Sequence, residues 1–200
     1  MRYRWWMVRA LPFALLTAGA HPAMAAQKMA CVHDLLDERL SIALFQAYRA
    51  DTPQAVDDGS EDHQSIDLTA MVKARIGPKI MACQRRHRWS DQAVESAARA
   101  LIGEALASGL RPEIDAAGVR PQALQQSVDD YLQGLDRADL QAFADGEPSE
   151  QVVNGLIGRV VADRVADLLT LMVGDAASLI GEFAASRANA IFFAAEFDRL

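Results

Sequence analysis

The sequence predicts an all-α protein: a compact bundle of about six to seven helices, with a long helical hairpin at its C-terminal end and a cleaved signal peptide before it. Apolar residues recur at intervals of three and four along most of the chain, which is the spacing of a helix with one buried side. No segment alternates apolar and polar residues as a half-buried strand does. Serine, aspartate, proline and glycine separate the periodic segments, where they are typical of helix ends.

The N-terminus is typical of an export signal. An uncharged, mostly apolar run over residues 10–20 is followed by small residues. The positive charges before this run are Arg2, Arg4 and Arg9. A membrane-spanning helix needs roughly 20 apolar residues, so cleavage is favoured over an uncleaved anchor. We expect cleavage after Ala25, with Ala26 as the alternative, and export through the general secretory route to the periplasm, with secretion as the alternative.

Removal of residues 1–25 makes the chain more acidic. The whole chain has 20 basic and 27 acidic residues, a net charge of −7. The removed segment holds three arginines and no acid, so 17 basic residues remain against 27 acidic ones, a net charge of −10. Such a charge disfavours binding to nucleic acid or to an anionic membrane surface. Residues 26–200 have the length of a single domain.

The two cysteines, Cys31 and Cys83, both lie in the exported part of the chain. An even pair in an oxidising compartment favours a disulfide, which would close a loop of 52 residues. Zinc bound by the two thiols is the alternative, and it would need His33 or His87 as further ligands. The disulfide is the preferred interpretation, and it requires the second helix to pack against the first.

Helix boundaries follow from the residues that start and stop helices. Residues 32–50 are predicted to form the first helix of the mature chain, and the acidic, polar residues 51–65 favour a flexible loop. Ser65 is predicted to cap the second helix. Gly77-Pro78 should kink or divide this helix, because proline lacks an amide donor and clashes with the preceding turn.

The middle of the chain contains several clear helix starts. Ser90 is predicted to cap a helix that ends at Gly109, and residues 112–117 a further short turn of helix. Pro121 occupies the natural first position of the next helix. Asp136 is predicted to cap a short helix after it.

The C-terminal third is predicted to form the central hairpin of the fold. Ser149 would cap a long helix that reaches about residue 173, and the last helix would cover residues 175–200. The buried side of the long helix is predicted to contain Ile157, Val161, Val165, Leu168, Leu169 and Met172. If the last helix is only partly covered, it could form the interface of a homodimer.

Four residues are candidates for a metal site, His33 and Asp37 together with His63 or His87. His33 and Asp37 are four positions apart, so they would share one face of a helix and could hold a divalent metal or pair a base with its carboxylate. The simpler interpretation is an acidic first turn that suits the helix dipole. The metal site defines the alternative function, a metal-dependent enzyme or a metal-binding protein.

Residues 85–88 form the only basic cluster of the chain, and Arg85, Arg86 and Arg88 are its candidate partner-binding residues. Arginines in this arrangement can bind an anionic partner or a carboxylate. The alternative is that they only offset the exposed carbonyl groups in the last turn of a helix.

No haem-attachment motif, zinc-protease motif, serine-hydrolase motif or glycine-rich phosphate loop is present. No cofactor is predicted, and an enzyme is not favoured. The preferred hypothesis is an exported, non-catalytic protein that binds another exported or envelope protein.

We expect protein isolated from the cell envelope to begin at Ala26, or at Gln27, and to contain no free thiol. Intact-mass measurement before and after alkylation tests both points. An N-terminus at Met1 would contradict the export prediction, and two alkylated cysteines would contradict the disulfide.

Overall fold

The computed structural model describes residues 29–32, 36–51, 68–172 and 175–200. Within these ranges, residues 50, 51, 68–73, 75 and 76 are described by their backbone alone. The predicted signal peptide, His33, His63 and residues 52–65 of the predicted loop lie outside the described residues.

Every regular element in these ranges is helical, which confirms the all-α prediction. A helical turn covers residues 29–32. The longer helices are α1 (Glu38–Asp51), α2 (Leu68–His87), α3 (Asp91–Ala116), α4 (Pro121–Gln133), α5 (Arg137–Ala144), α6 (Glu150–Ala162), α7 (Leu168–Met172) and α8 (Ala176–Arg199). The described part of the chain therefore holds more helices than the six to seven predicted, in part because the predicted long helix near the C-terminus is two helices.

The centre of the fold is the antiparallel pair of α3 and α8. Their backbones approach so closely that a Cβ atom on Gly103 would lie 2.6 Å from both the backbone nitrogen of Ala190 and the carbonyl oxygen of Ser186. Near the opposite ends of the two helices, the rings of Trp89 and Phe197 meet edge to face, with centroids 4.8 Å apart. The main partner of α8 is α3, so the prediction that the C-terminal hairpin forms the centre is wrong.

Two apolar clusters lie along this pair. The first surrounds the C-terminal half of α3, and its large members include Leu110, Ile114, Leu124, Leu132, Leu156, Ile180 and Phe183. The second surrounds the N-terminal half of α3, and its members include Val32, Leu44, Ile80, Cys83, Trp89, Leu101 and Phe197. Two of the three buried phenylalanines of α8, Phe183 and Phe197, therefore lie in different clusters.

Arg49 attaches α1 to the central pair. Its guanidinium lies 2.5 Å from the Glu113 carboxylate of α3 and 3.0 Å from that of Glu182 of α8. Burial alone would lower the pKa of Arg49, but the hydrogen bond with Glu113 and the charge of Glu182 outweigh this effect, so the pKa lies above its usual value. Arg187 and Asp129 connect α8 to α4 through two hydrogen bonds of 2.7 and 2.9 Å.

The predicted helix starts are confirmed wherever the side chain itself caps the helix. Ser90, Asp136 and Ser149 each accept a hydrogen bond from the backbone N–H three residues later. Pro121 is the first residue of α4, where its missing N–H costs nothing. These signals act within one turn, so no distant contact is needed to predict them.

Two predicted interruptions are absent. Pro78 lies inside α2 and does not divide it, and the alternative of a kink stays a prediction. Gly109 does not end α3, which continues past Pro112 to Ala116. Gly109 instead gives room to a neighbour, because a Cβ atom at this position would overlap the side chain of Phe45. A tertiary contact, rather than the helix end, therefore explains this glycine.

The predicted long helix ends early, and its predicted buried side is partly exposed. Arg164 has a φ of +55°, and the N–H of Val165 bonds to the carbonyl of Val160, a pattern that closes a helix at its C-terminus. The chain therefore turns between α6 and α7. Val165 is buried as predicted, but Leu168, Leu169 and Met172 are 60%, 71% and 83% exposed, which contradicts their predicted burial.

We expect Gly103→Ala to lower the free energy of unfolding by about 1–3 kcal/mol, because the added methyl group must push α8 away from α3. The control is Gly181→Ala within α8, where an added Cβ meets no atom within 4 Å. This change should instead stabilise the helix by about 0.5–1 kcal/mol. Urea denaturation followed by circular dichroism measures both effects. An equal response of the two variants would contradict the close approach.

Candidate functional site

The disulfide between Cys31 and Cys83 holds the helical turn of residues 29–32 against α2. Its sulfurs are 2.04 Å apart and its Cα atoms are 6.2 Å apart. The structure therefore contains the disulfide that the sequence predicts. Cys83 is buried in the same apolar cluster as Ile80 and Trp89. The cross-link therefore supports the segment of α2 that immediately precedes the arginines of residues 85–88.

The connection between α2 and α3 is fixed at both of its ends. Arg88 has a φ of +56°, and the N–H of Trp89 bonds to the carbonyl of Gln84 at 3.1 Å, so α2 ends in the left-handed motif that usually employs glycine. Trp89 is buried, and its ring stacks with that of His87 at 5.8 Å. Ser90 then caps α3. The arginines before Trp89 consequently stand on a well-defined turn.

Arg85, Arg86 and Arg88 form a surface that we call the basic corner. All three residues are exposed, and within the described residues none of them pairs with a carboxylate. Most other described arginines do pair with a carboxylate, namely Arg49, Arg99, Arg137, Arg159, Arg187 and Arg199. The basic corner therefore presents three neighbouring positive charges that no carboxylate in the described part of the chain neutralises.

A groove lies between α2 and α3 next to the basic corner, with a volume of about 670 Å³. We call it the α2–α3 groove. Its apolar lining consists of Ile80 and Met81 from α2 and Val94, Ala98 and Ile102 from α3. Ile80 and Ala98 are buried, whereas Met81 is 45% exposed. A volume of 300–1,000 Å³ with a mainly apolar lining is typical of binding sites.

The rim of the groove is polar, and its charges are already engaged. Gln84 donates a hydrogen bond to the carboxylate of Asp91 at 3.0 Å and closes the groove at the end near the basic corner. Arg99 donates to Glu95 at 2.8 Å and lies over the ring of Phe193. Arg85 follows Met81 by one helical turn, so the two side chains lie on the same face of α2.

The candidate metal ligands do not come together in the part of the chain that the structure describes. Asp37 accepts a hydrogen bond from the N–H of Leu40 at 2.8 Å, which is the role of a helix cap. His87 stacks with Trp89. His33 and His63 lie outside the described ranges, and within these ranges no group of three His, Cys, Asp or Glu residues could hold a metal ion. The metal site stays a prediction.

Two other surfaces were not identified from the sequence. The exposed side chains of Leu168, Leu169 and Met172 form an apolar tip on α7. Hydrogen bonds from the backbone and hydroxyl of Thr170 lower the pKa of Asp167, which precedes this helix. The uncharged run between Asp167 and Asp175 is the only sequence signal for this apolar tip.

A second cleft, with a volume of about 600 Å³, lies between α3, α6 and α8.

Comparisons with protein-family models, with curated proteins and with solved structures find no match to this chain. None of the helices in the described ranges has the length and apolar character that crossing a membrane requires. The basic corner and the α2–α3 groove are therefore interpreted from their own geometry and charge.

We expect Arg88→Gly to raise the free energy of unfolding by up to about 1 kcal/mol, because glycine adopts a positive φ without the steric cost that arginine has. The control is Arg86→Gly, which places glycine in the last turn of α2 and should lower stability by about 0.5–1 kcal/mol. Thermal and urea unfolding measure the two changes. A loss of stability in both variants would contradict the left-handed helix end at Arg88.

Proposed function

We propose that this chain is an exported, non-catalytic protein that binds another exported or envelope protein through the basic corner. The observation that carries the proposal is the set of three exposed arginines without a carboxylate partner in the described part of the chain. A helix end needs only partial compensation of its dipole, which is equivalent to roughly half an elementary charge. Three arginines exceed that requirement, so charge remains for a partner.

Export is supported by two independent features. The N-terminal arginines and the apolar run after them are typical of a signal peptide. The disulfide between Cys31 and Cys83 is of a kind that persists in oxidising compartments and is rare in the cytosol. A partner of the mature protein would therefore be a protein or another component of the same compartment.

The chemistry of the basic corner favours carboxylates as its ligands. Guanidinium groups donate in a planar fork that matches a carboxylate, and the fixed turn at Arg88 and Trp89 limits the loss of conformational entropy on binding. The net charge of −7 for the whole chain opposes binding to phosphate backbones and anionic lipids. A local acidic patch on a protein fits better, because at a screening length of about 8 Å a small patch meets only the basic corner, whereas an extended polyanion also meets the acidic remainder of the chain.

The test uses charge reversal at Arg85, Arg86 and Arg88 together, with crosslinking of the exported protein in cells and mass spectrometry of what is captured. We expect a stoichiometric partner whose yield falls by at least roughly tenfold in the triple variant, because attraction is replaced by repulsion. Arg39→Glu is the control, since Arg39 is also exposed and has no carboxylate partner among the described residues.

The control variant should capture the same partner as the unmodified protein. Equal capture by the triple variant would remove the basic corner as the binding surface. Capture of no stoichiometric partner by the unmodified protein would contradict the proposed function itself.

A further inference from the structure

We propose that the α2–α3 groove binds an amphipathic helix of the partner protein, and that acidic residues at one end of this helix contact the basic corner. This inference rests on the proposed function and adds the shape and chemistry of the bound segment. The α2–α3 groove and the basic corner are neighbours, because Arg85 follows Met81 by one turn on the same face of α2. One ligand can therefore contact both surfaces at once.

The dimensions of the groove suit a helix of three to four turns. Its wall on α3 extends from Asp91 to Ile102, which corresponds to about 18 Å of helix at 1.5 Å per residue. The floor is apolar along this length, from Val94 through Ala98 to Ile102. A bound helix would place apolar side chains on this floor at positions i, i+3 or i+4, and i+7.

The distribution of charge sets the direction of the bound helix. Glu95 is paired with Arg99, and Asp91 accepts a hydrogen bond from Gln84, so the acidic rim has local partners. Among the described residues, the arginines of the basic corner are the charges at the edge of the groove that have no carboxylate partner. Acidic side chains are favoured in the first turn of a helix. The N-terminus of the bound helix therefore lies at the basic corner, and the helix runs parallel to α3.

Other occupants fit the groove less well. A fatty acid could place its carboxylate at the basic corner, but one side of its acyl chain would stay in water, because the groove is open at the surface and Met81 in its wall is 45% exposed. A second copy of this chain could offer the apolar tip on α7. That tip is flanked by the acidic Asp167 and Asp175, but α7 has only five residues, about 8 Å of helix, and so covers less than half of the groove.

The first experiment places a photoreactive phenylalanine analogue at Met81, at Arg86 or at Ile42 of the full chain in cells. Met81 and Ile42 are matched in exposure, at 45% and 46%, but Ile42 lies on α1. We expect adducts from Met81 and Arg86 with the same partner and none from Ile42. Mass spectrometry of the adducts should map the Met81 contact to an amphipathic helix and the Arg86 contact to acidic residues at its N-terminal end.

The second experiment measures affinity between the purified partner and variants of the full chain. Met81→Glu should weaken binding by at least about tenfold, because it places a charge on the apolar wall that α2 contributes to the groove, whereas Met81→Leu and Ile42→Glu should leave affinity within about twofold. Circular dichroism and thermal unfolding confirm that Met81→Glu is folded, as expected for a half-exposed position.

The outcomes separate this inference from the proposed function. Adducts from Arg86 without adducts from Met81, or an unchanged affinity of Met81→Glu, would overturn the groove as a site and leave the basic corner as a binding surface. A Met81 adduct with a lipid, a second copy of the chain or a non-helical segment would overturn the helical ligand. Absence of adducts from both positions would overturn both proposals.

Discussion

The close approach of α3 and α8 at Gly103 is the contact on which the rest of the molecule depends. Both helices have small residues where they meet, and buried alanines such as Ala105, Ala184 and Ala188 extend the contact in both directions. Small side chains let two helix backbones approach, so dispersion contacts accumulate along the whole pair. The remaining helices then pack around this pair in two groups, one for each apolar cluster.

The disulfide adds a covalent attachment to the packing of α2. Among the side chains of α2 that the structure describes, Ile80 and Cys83 are buried in the second apolar cluster. In the chain-entropy model, a closed loop of 52 residues stabilises the folded state by about 4 kcal/mol. The cross-link therefore holds α2 beside α3, where Met81 is 45% exposed and a groove lies between the two helices.

The sequence was sufficient to predict features that depend on neighbouring residues, and insufficient where a distant contact decides. The caps at Ser90, Asp136 and Ser149 could be predicted because a side chain bonds to its own helix. The prediction that Gly109 ends a helix is wrong, because the role of this glycine depends on Phe45, which is 64 positions away. The charges of the basic corner are visible in the sequence. The groove beside it depends on the angle between two helices, which the spacing of apolar residues does not predict.

Arg88 ends α2 in the left-handed conformation, and the basic corner differs from an ordinary helix end of this kind in the charges beside it. Arg164 adopts the same conformation after α6, so this geometry alone does not indicate a binding site. The difference lies in the neighbours. Arg164 follows one paired arginine, Arg159, whereas Arg88 follows Arg85 and Arg86, which have no carboxylate partner in the described ranges. Within the described part of the chain, this positive charge on a fixed turn beside an apolar groove complements the proposed ligand, which is apolar along its length and acidic at one end.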